Sequence, residues 1–254
     1  MKLKAKVAII TGASRGLGKA IAIGLAKEGA ATIVAARTEK ETKALPGTIH
    51  RTAEEIRNLG GRSLPVRCDI TQEEDVKQMV HKTLEEFGQV DILVNNAGIA
   101  FPAPVWEMPL KRWELVLRVN LTGTFLCTKA VLPEMMERRR GCIINISSIQ
   151  ATYRAIRPAR TGIAYGVSKA GIERFTWGVA AEVGKFNIAV NCVKPRGSVR
   201  TEGMEWLNPD ADRSQWDSPE RLVRAVVFLA GQDASGVTGL VATDEEICAW
   251  HGLL

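Results

Sequence analysis

Residues 7–18 read Val7-Ala8-Ile9-Ile10-Thr11-Gly12-Ala13-Ser14-Arg15-Gly16-Leu17-Gly18. The apolar run predicts a strand over 7–10, and the amphipathic stretch that follows predicts a helix over 18–28. The glycines therefore fill a strand-to-helix turn. Gly12 lets the chain turn sharply, while Gly16 and Gly18 permit close approach of backbone to ligand and of helix to sheet. Free amides at the helix N-terminus, aided by the helix dipole, suit a pyrophosphate. A P-loop is excluded, because Ala13 stands where its first glycine belongs and Ala20 where Ser or Thr would hold magnesium.

Outward from this turn, short apolar runs alternate with longer helical segments. Strands are predicted at 32–36, 63–68, 92–94, 142–146, 188–193 and 239–242, with helices at 52–59, 73–87, 110–137 and 169–182. Continuous Val- and Ile-rich strands of this kind suit a seven-stranded parallel α/β sheet covered by helices on both faces. No repeat or linker interrupts the pattern, so residues 1–254 read as one domain. Residues 38–52 look like an inserted loop around Pro46-Gly47. Residues 199–218 have no clear period and are either a substrate lid or a plain surface connection.

The 254 residues are 46% hydrophobic and 24% charged, ordinary values for a globular protein. The net charge of +6 lies within the first forty residues, which hold Lys2, Lys4, Lys6, Arg15, Lys19, Lys27, Arg37 and Lys40 against Glu28 and Glu39. A local surplus beside a glycine turn differs from the basic stripe of a nucleic-acid binder. No apolar run reaches the ~18–20 residues of a membrane span, and the N-terminus lacks a signal-peptide pattern. Five scattered cysteines (Cys68, Cys127, Cys142, Cys192, Cys248) read as reduced thiols of a cytoplasmic protein. With three isolated histidines they form no metal site.

Strand two ends in Ala36-Arg37, where NAD binders commonly carry an acid that accepts from the ribose hydroxyls. Arg15 and Arg37 with no carboxylate suit a 2′-phosphate, so NADP(H) is expected over NAD(H). Tyr165 and Lys169 stand four residues apart, on one helix face. An ammonium beside a phenol of pKa ~10 would favour the phenolate. Ser147 and Ser148 end strand five at the carboxyl edge of the sheet, where ligands bind in open α/β folds.

In their order and spacing these residues resemble the short-chain dehydrogenase/reductase family. The resemblance rests on TGxxxGxG at Thr11–Gly18, Asp69 after strand three, Asn95-Asn96-Ala97-Gly98, Asn120, the strand-five serines and YxxxK at Tyr165–Lys169. It covers about residues 5–200, and residues 223–239 resemble the family's last helix and strand. It implies a Rossmann-type doubly wound fold and interconversion of a secondary alcohol and a ketone, with small-molecule substrates and no nucleic-acid or membrane partner. Tyr165 would be the general acid/base, Lys169 its partner at the nicotinamide ribose, Ser148 the substrate-oxygen donor and Asn120 the support of a water-mediated relay. Cofactor contacts would come from Gly12, Ser14, Arg15, Gly16, Leu17, Gly18, Arg37, Asp69, Ile70, Asn96, Ala97, Gly98, Tyr165, Lys169, Pro195, Val199 and Thr201. A homotetramer is implied, with interfaces on the helices at 105–136 and 165–183. The contrasting readings are a dehalogenase on this fold, which would lack the glycine turn and Lys169, and a non-enzymatic NADP-binding sensor or scaffold.

The chain also departs from the family. The interval from Ser148 to Tyr165 is longer than usual and carries Arg154, Arg157 and Arg160, either a rim for an acidic substrate or a solvated loop. After strand six the chain reads Lys194-Pro195-Arg196-Gly197-Ser198-Val199-Arg200-Thr201, one residue longer than the usual Pro-Gly pattern. Thr243-Asp244-Glu245-Glu246 replaces the usual Asp-Gly-Gly, and the insertion at 45–56 resembles a branch that includes hydroxysteroid-dehydrogenase-like proteins. Met204, Trp206 and Trp216 suit a pocket for a bulky apolar group, or packing within the fold.

Overall fold

A computed structural model of the chain describes residues 1–41, 46–152, 162–207 and 210–253. Strands β1 (Val7–Thr11), β2 (Ala31–Ala36), β3 (Ser63–Arg67), β4 (Ile92–Asn95), β5 (Gly141–Ile146), β6 (Ile188–Lys194) and β7 (Val241–Thr243) pair in parallel. They form one seven-stranded sheet in the order β3-β2-β1-β4-β5-β6-β7. The strand order reverses between β1 and β4, the topological switch point of a Rossmann-type fold, and a crevice opens there at the carboxyl ends of the strands.

The helices are α1 (Gly16–Lys27), α2 (Ile49–Asn58), α3 (Glu73–Phe87), α4 (Leu110–Leu117), α5 (Gly123–Glu137), α6 (Ile163–Val183), α7 (Glu202–Leu207), α8 (Glu220–Ala230) and α9 (Asp244–Trp250). Alternate strand residues point to opposite faces, so the sheet feeds two cores. Ile10, Val34, Val94 and Ile144 pack under α1, α2, α8 and α9, while Ile9, Ile33, Leu93 and Ile143 pack under α3, α5 and α6. Each fully buried Ile or Leu contributes about 1.5–3 kcal/mol, which explains why the strands are apolar on both faces.

Local sequence sets several helix ends. Glu73, Glu74 and Asp75 favour the first turn of α3 through the helix dipole, and Gly88 closes it in the left-handed conformation. Thr48 caps α2 by accepting from Arg51 N–H at 3.1 Å. The last helix, α9, has no counterpart in the sequence reading, yet its signature is there. Thr243 and Glu246 form a reciprocal capping box that starts it.

The predicted helix over 110–137 is divided in two. A π-turn at Arg118–Thr122 separates α4 from α5 and is centred on the fully buried Asn120. By length and a mean hydropathy of 1.4 over eighteen residues, this run is also apolar enough to cross a membrane, contrary to the sequence reading. Its inward face, with Cys127, Val131 and Met135, is packed on the sheet.

Candidate active site

The glycine turn leaves β1 as the sequence suggests. Gly12 adopts φ +67°, and a Cβ there would stand 2.8 Å from the Ala97 Cα. A Cβ on Gly18 would overlap the carbonyl oxygen of Gly12, so α1 can approach the turn only without a side chain at that position. Asn96 secures the same corner: its side-chain amide donates to the Thr11 carbonyl at 2.9 Å, while its N–H donates to the Thr11 hydroxyl at 3.1 Å. The inserted loop joins this corner. Arg15 donates to the carbonyls of Pro46 and Gly47 at 2.9 and 3.0 Å, and the Thr52 hydroxyl donates to that of Ser14 at 3.3 Å.

At the end of β2, Ala36 faces the same cleft, and no acid follows it directly. Arg37 lies 62% exposed, 3.6 Å from the Asp69 carboxylate. Burial pushes the Asp69 carboxyl up, but hydrogen bonds from the Thr71 N–H and hydroxyl and the nearby Arg37 outweigh it and hold the pKa below the ordinary carboxylate range.

Across the cleft, Ser147 and Ser148 follow β5 with different surroundings. The buried Ser147 hydroxyl donates to Glu173 Oε1 at 2.9 Å, and Lys194 Nζ donates to the same oxygen at 2.9 Å. Ser148 faces the cleft beside Tyr165, and its hydroxyl accepts from Gln150 N–H at 3.2 Å. The expectation that Lys169 draws the phenol toward the phenolate is not met. Burial pushes the Tyr165 phenol above its ordinary pKa of 10, opposed by Ser148. Lys169 Nζ donates instead to the Ile146 carbonyl at 2.7 Å, and burial pushes its own pKa down to about 8.

Asn120 does not line the cleft. Its side chain lies behind it, donating to the Ile99 carbonyl at 3.0 Å and the Ser168 hydroxyl at 2.9 Å while accepting from the Ile99 N–H at 2.8 Å. These bonds tie the π-turn to the first turns of α6 and to the segment after β4. Nearby, Asn95 donates to Asn145 at 2.9 Å and Asn145 to Thr176 at 2.9 Å, which links β4, β5 and α6.

The remaining predicted cofactor residues, including Ser14, Leu17, Ile70, Ala97, Gly98, Pro195, Val199 and Thr201, line the same cleft of about 590 Å³. Met204 and Trp206 of α7 form part of its wall, whereas Trp216 carries the Arg213 guanidinium 5.9 Å above its ring. Arg154, Arg157 and Arg160 lie outside the described residues. A contact beside the cleft escapes the sequence reading. Glu202, the first residue of α7, accepts from Gly16 N–H at 3.0 Å across 186 positions of sequence. No local pattern signals that contact.

The short chain dehydrogenase family model matches residues 6–212. The chain belongs to the short chain dehydrogenase family. It is 36% identical over 254 residues to hydroxysteroid dehydrogenase-like protein 2 of Bos taurus, covering 99% of this chain and 59% of that protein. The chain thus spans about three-fifths of the length of that relative. It is 35% identical to the 3-oxoacyl-(acyl-carrier-protein) reductase FabG of Thermotoga maritima, over 95% of this chain and 96% of that one. Among solved structures, a short-chain type dehydrogenase/reductase from Mycobacterium marinum aligns with TM-score 0.82 and 34% identity, over 95% of this chain and 94% of that one. A variant of the actinorhodin polyketide ketoreductase with NADPH aligns with TM-score 0.84 and 29% identity, over 96% of each chain. The family is one of oxidoreductases that use NAD(P)H.

Proposed function

We propose that the chain interconverts a secondary alcohol and a ketone with NADP(H), and that one observation carries this reading: Ser148, Tyr165 and Lys169 converge at the carboxyl edge of β5, in the cleft that begins at the glycine turn. The residues fit a dinucleotide. Side chains at positions 12 and 18 would fill the space beside the turn, and the donors at its rim are cationic. The bound cofactor supplies or accepts the hydride at the carbinol carbon. The chain's part is the proton. Tyr165, protonated at neutral pH, donates its phenolic proton to the carbonyl oxygen in reduction and takes it back in oxidation. Ser148 donates a hydrogen bond to the same oxygen, and Lys169, anchored at the Ile146 carbonyl, would hold the nicotinamide ribose. Asn120 acts as a positioning residue, holding the segment after β4 against α6.

Arg37 and Arg15 support a preference for the 2′-phosphate of NADP(H), with Asp69 and Ile70 beside the adenine and Thr201 and Val199 beside the nicotinamide. Residues 199–218 act as the substrate lid of one domain spanning 1–254. Apolar side chains exposed on α4, α5 and α6 and before them, including Trp106, Leu110, Phe125, Val167 and Trp177, support self-association through these helices, with a homotetramer as the assembly. Five buried free thiols fit a cytoplasmic setting. A panel of ketones and secondary alcohols followed by NADPH absorbance tests the reaction. Absence of turnover across the panel, with cofactor bound, would overturn it. Light scattering of the purified chain reads the assembly.

A further inference from the structure

The N-terminus of α1 carries an acceptor where a dinucleotide binder needs a vacancy. Its N-cap, Arg15, makes no side-chain capping bond, and the first helical amide, Gly16 N–H, donates instead to Glu202 Oε2 at 3.0 Å. A carboxylate is the natural partner for an uncapped amide at the positive end of a helix dipole. The contact is backed by close packing. A Cβ on Gly16 would stand 3.3 Å from the Thr201 Cβ and 3.7 Å from the same Glu202 oxygen. Thr201 in turn caps α7, accepting from Met204 N–H at 3.2 Å. The other acid of α7, Glu205, lies 3.4 Å from Arg200 and 3.5 Å from Arg213, so the helix is held at its base while its first residue touches the turn.

We propose that Glu202 is a built-in anion that occupies the pyrophosphate position of the ligand-free chain, so that the cofactor must displace it and thereby release α7. This rests on the cofactor reading of the glycine turn. Two anions cannot share one amide, so displacement opposes cofactor binding and limits its affinity. Because Glu202 is the first residue of the helix that carries Met204 and Trp206, loss of its bond also frees the wall of the substrate cleft. Occupancy of the phosphate site and position of the substrate wall are then coupled through one side chain.

Calorimetric titration of the ligand-free wild type, Glu202→Gln and Glu202→Ala with NADPH, and separately with inorganic pyrophosphate, tests this. Both ligands should bind the variants about three- to fivefold more tightly, the gain expected from removing a competing charge at a helix terminus. Without ligand the variants should melt about 2 °C lower than wild type, and saturating NADPH should abolish that difference. The Trp206 emission, taken as the difference from a Trp206→Phe background, should change when pyrophosphate binds wild type and be already changed in Glu202→Ala. Unchanged or weaker affinity in both variants overturns the competition, and a Trp206 signal indifferent to Glu202 overturns the coupling to α7. If pyrophosphate binding depends on Glu202 while neither NADPH nor NADH binds, the cofactor reading fails and the competition stands.

Discussion

Lys169 Nζ lies 5.5 Å from the centroid of the Tyr165 ring and donates to the Ile146 carbonyl, not to the phenol. The pair shares a face of α6, as its spacing requires, but the cation is anchored to the end of β5. Its charge stands near the phenol without a direct bond to it, and Ser148 lines the same cleft and opposes the upward push of burial on the phenol.

In the proposed mechanism Tyr165→Phe removes the proton donor while keeping the ring. Turnover should fall at least about 100-fold, the usual contribution of a positioned acid/base, with the NADPH Kd within about threefold of wild type. Steady-state kinetics and calorimetry check this. Retained turnover sinks the role of Tyr165.

Burial of the Lys169 ammonium carries a stability cost with a defined pH window. Its pKa lies at about 8 in the folded chain against an ordinary 10.5. Below pH 8 both states hold the proton and the folded state bears the full cost, about 3 kcal/mol. Between pH 8 and 10.5 the unfolded chain binds more protons, so stability rises with pH and the cost vanishes. Lys169→Met should therefore be more stable than wild type at pH 7, by about 2 kcal/mol after loss of the Ile146 bond, though inactive. Urea unfolding at pH 7 and pH 10 should show that advantage shrinking at the higher pH.

Arg37→Ala should weaken NADPH binding about tenfold and leave NADH binding nearly unchanged, because only the 2′-phosphate gains a charge-assisted hydrogen bond there. The same substitution frees Asp69 from its neighbouring guanidinium 3.6 Å away, so its carboxyl should titrate higher. Parallel titrations with the two cofactors read the first effect. Equal losses for both would show that Arg37 serves the fold and not the phosphate.

Gly18→Ala would drive a methyl group into the carbonyl of Gly12. The turn must shift, costing about 1–3 kcal/mol of stability as overpacked sites do, and NADPH binding should be lost. Melting temperature and cofactor Kd measured together separate this from a purely local loss of binding.

Lys194 and Glu173 form a buried ion pair at 2.9 Å with both side chains nearly inaccessible. Glu173→Ala strands the ammonium and should cost about 3–5 kcal/mol, whereas the double variant Glu173→Leu with Lys194→Met should recover most of it. Denaturant midpoints of the single and double variants decide this. If the double variant is as unstable as the single, the pair does more than neutralise itself.

The features legible in the sequence are those carried by short-range periodicity and by special backbone residues. Val7–Ile10 and the other apolar runs define strands because a parallel sheet must bury both faces, and the glycines at 12, 16 and 18 define the turn because only they fit it. Tyr165 and Lys169 are legible for the same reason, since a separation of four residues fixes a common helix face. The capping box of α9 is equally local, although the sequence reading passes over it. These are properties of neighbours along the chain, and chemistry alone constrains them.

The rest depends on where distant segments meet. Asn120 sits in a π-turn, where its side chain reaches Ile99 and Ser168 on other segments. Lys169 selects the Ile146 carbonyl, Glu173 receives Lys194 and Ser147, and Glu202 reaches the amide of Gly16 from 186 positions along the chain. Hydrogen bonds and ion pairs are short-ranged and directional, so such choices follow from the path of loops through space. Periodicity along the chain carries no record of that path, and packing the two faces of the sheet creates it.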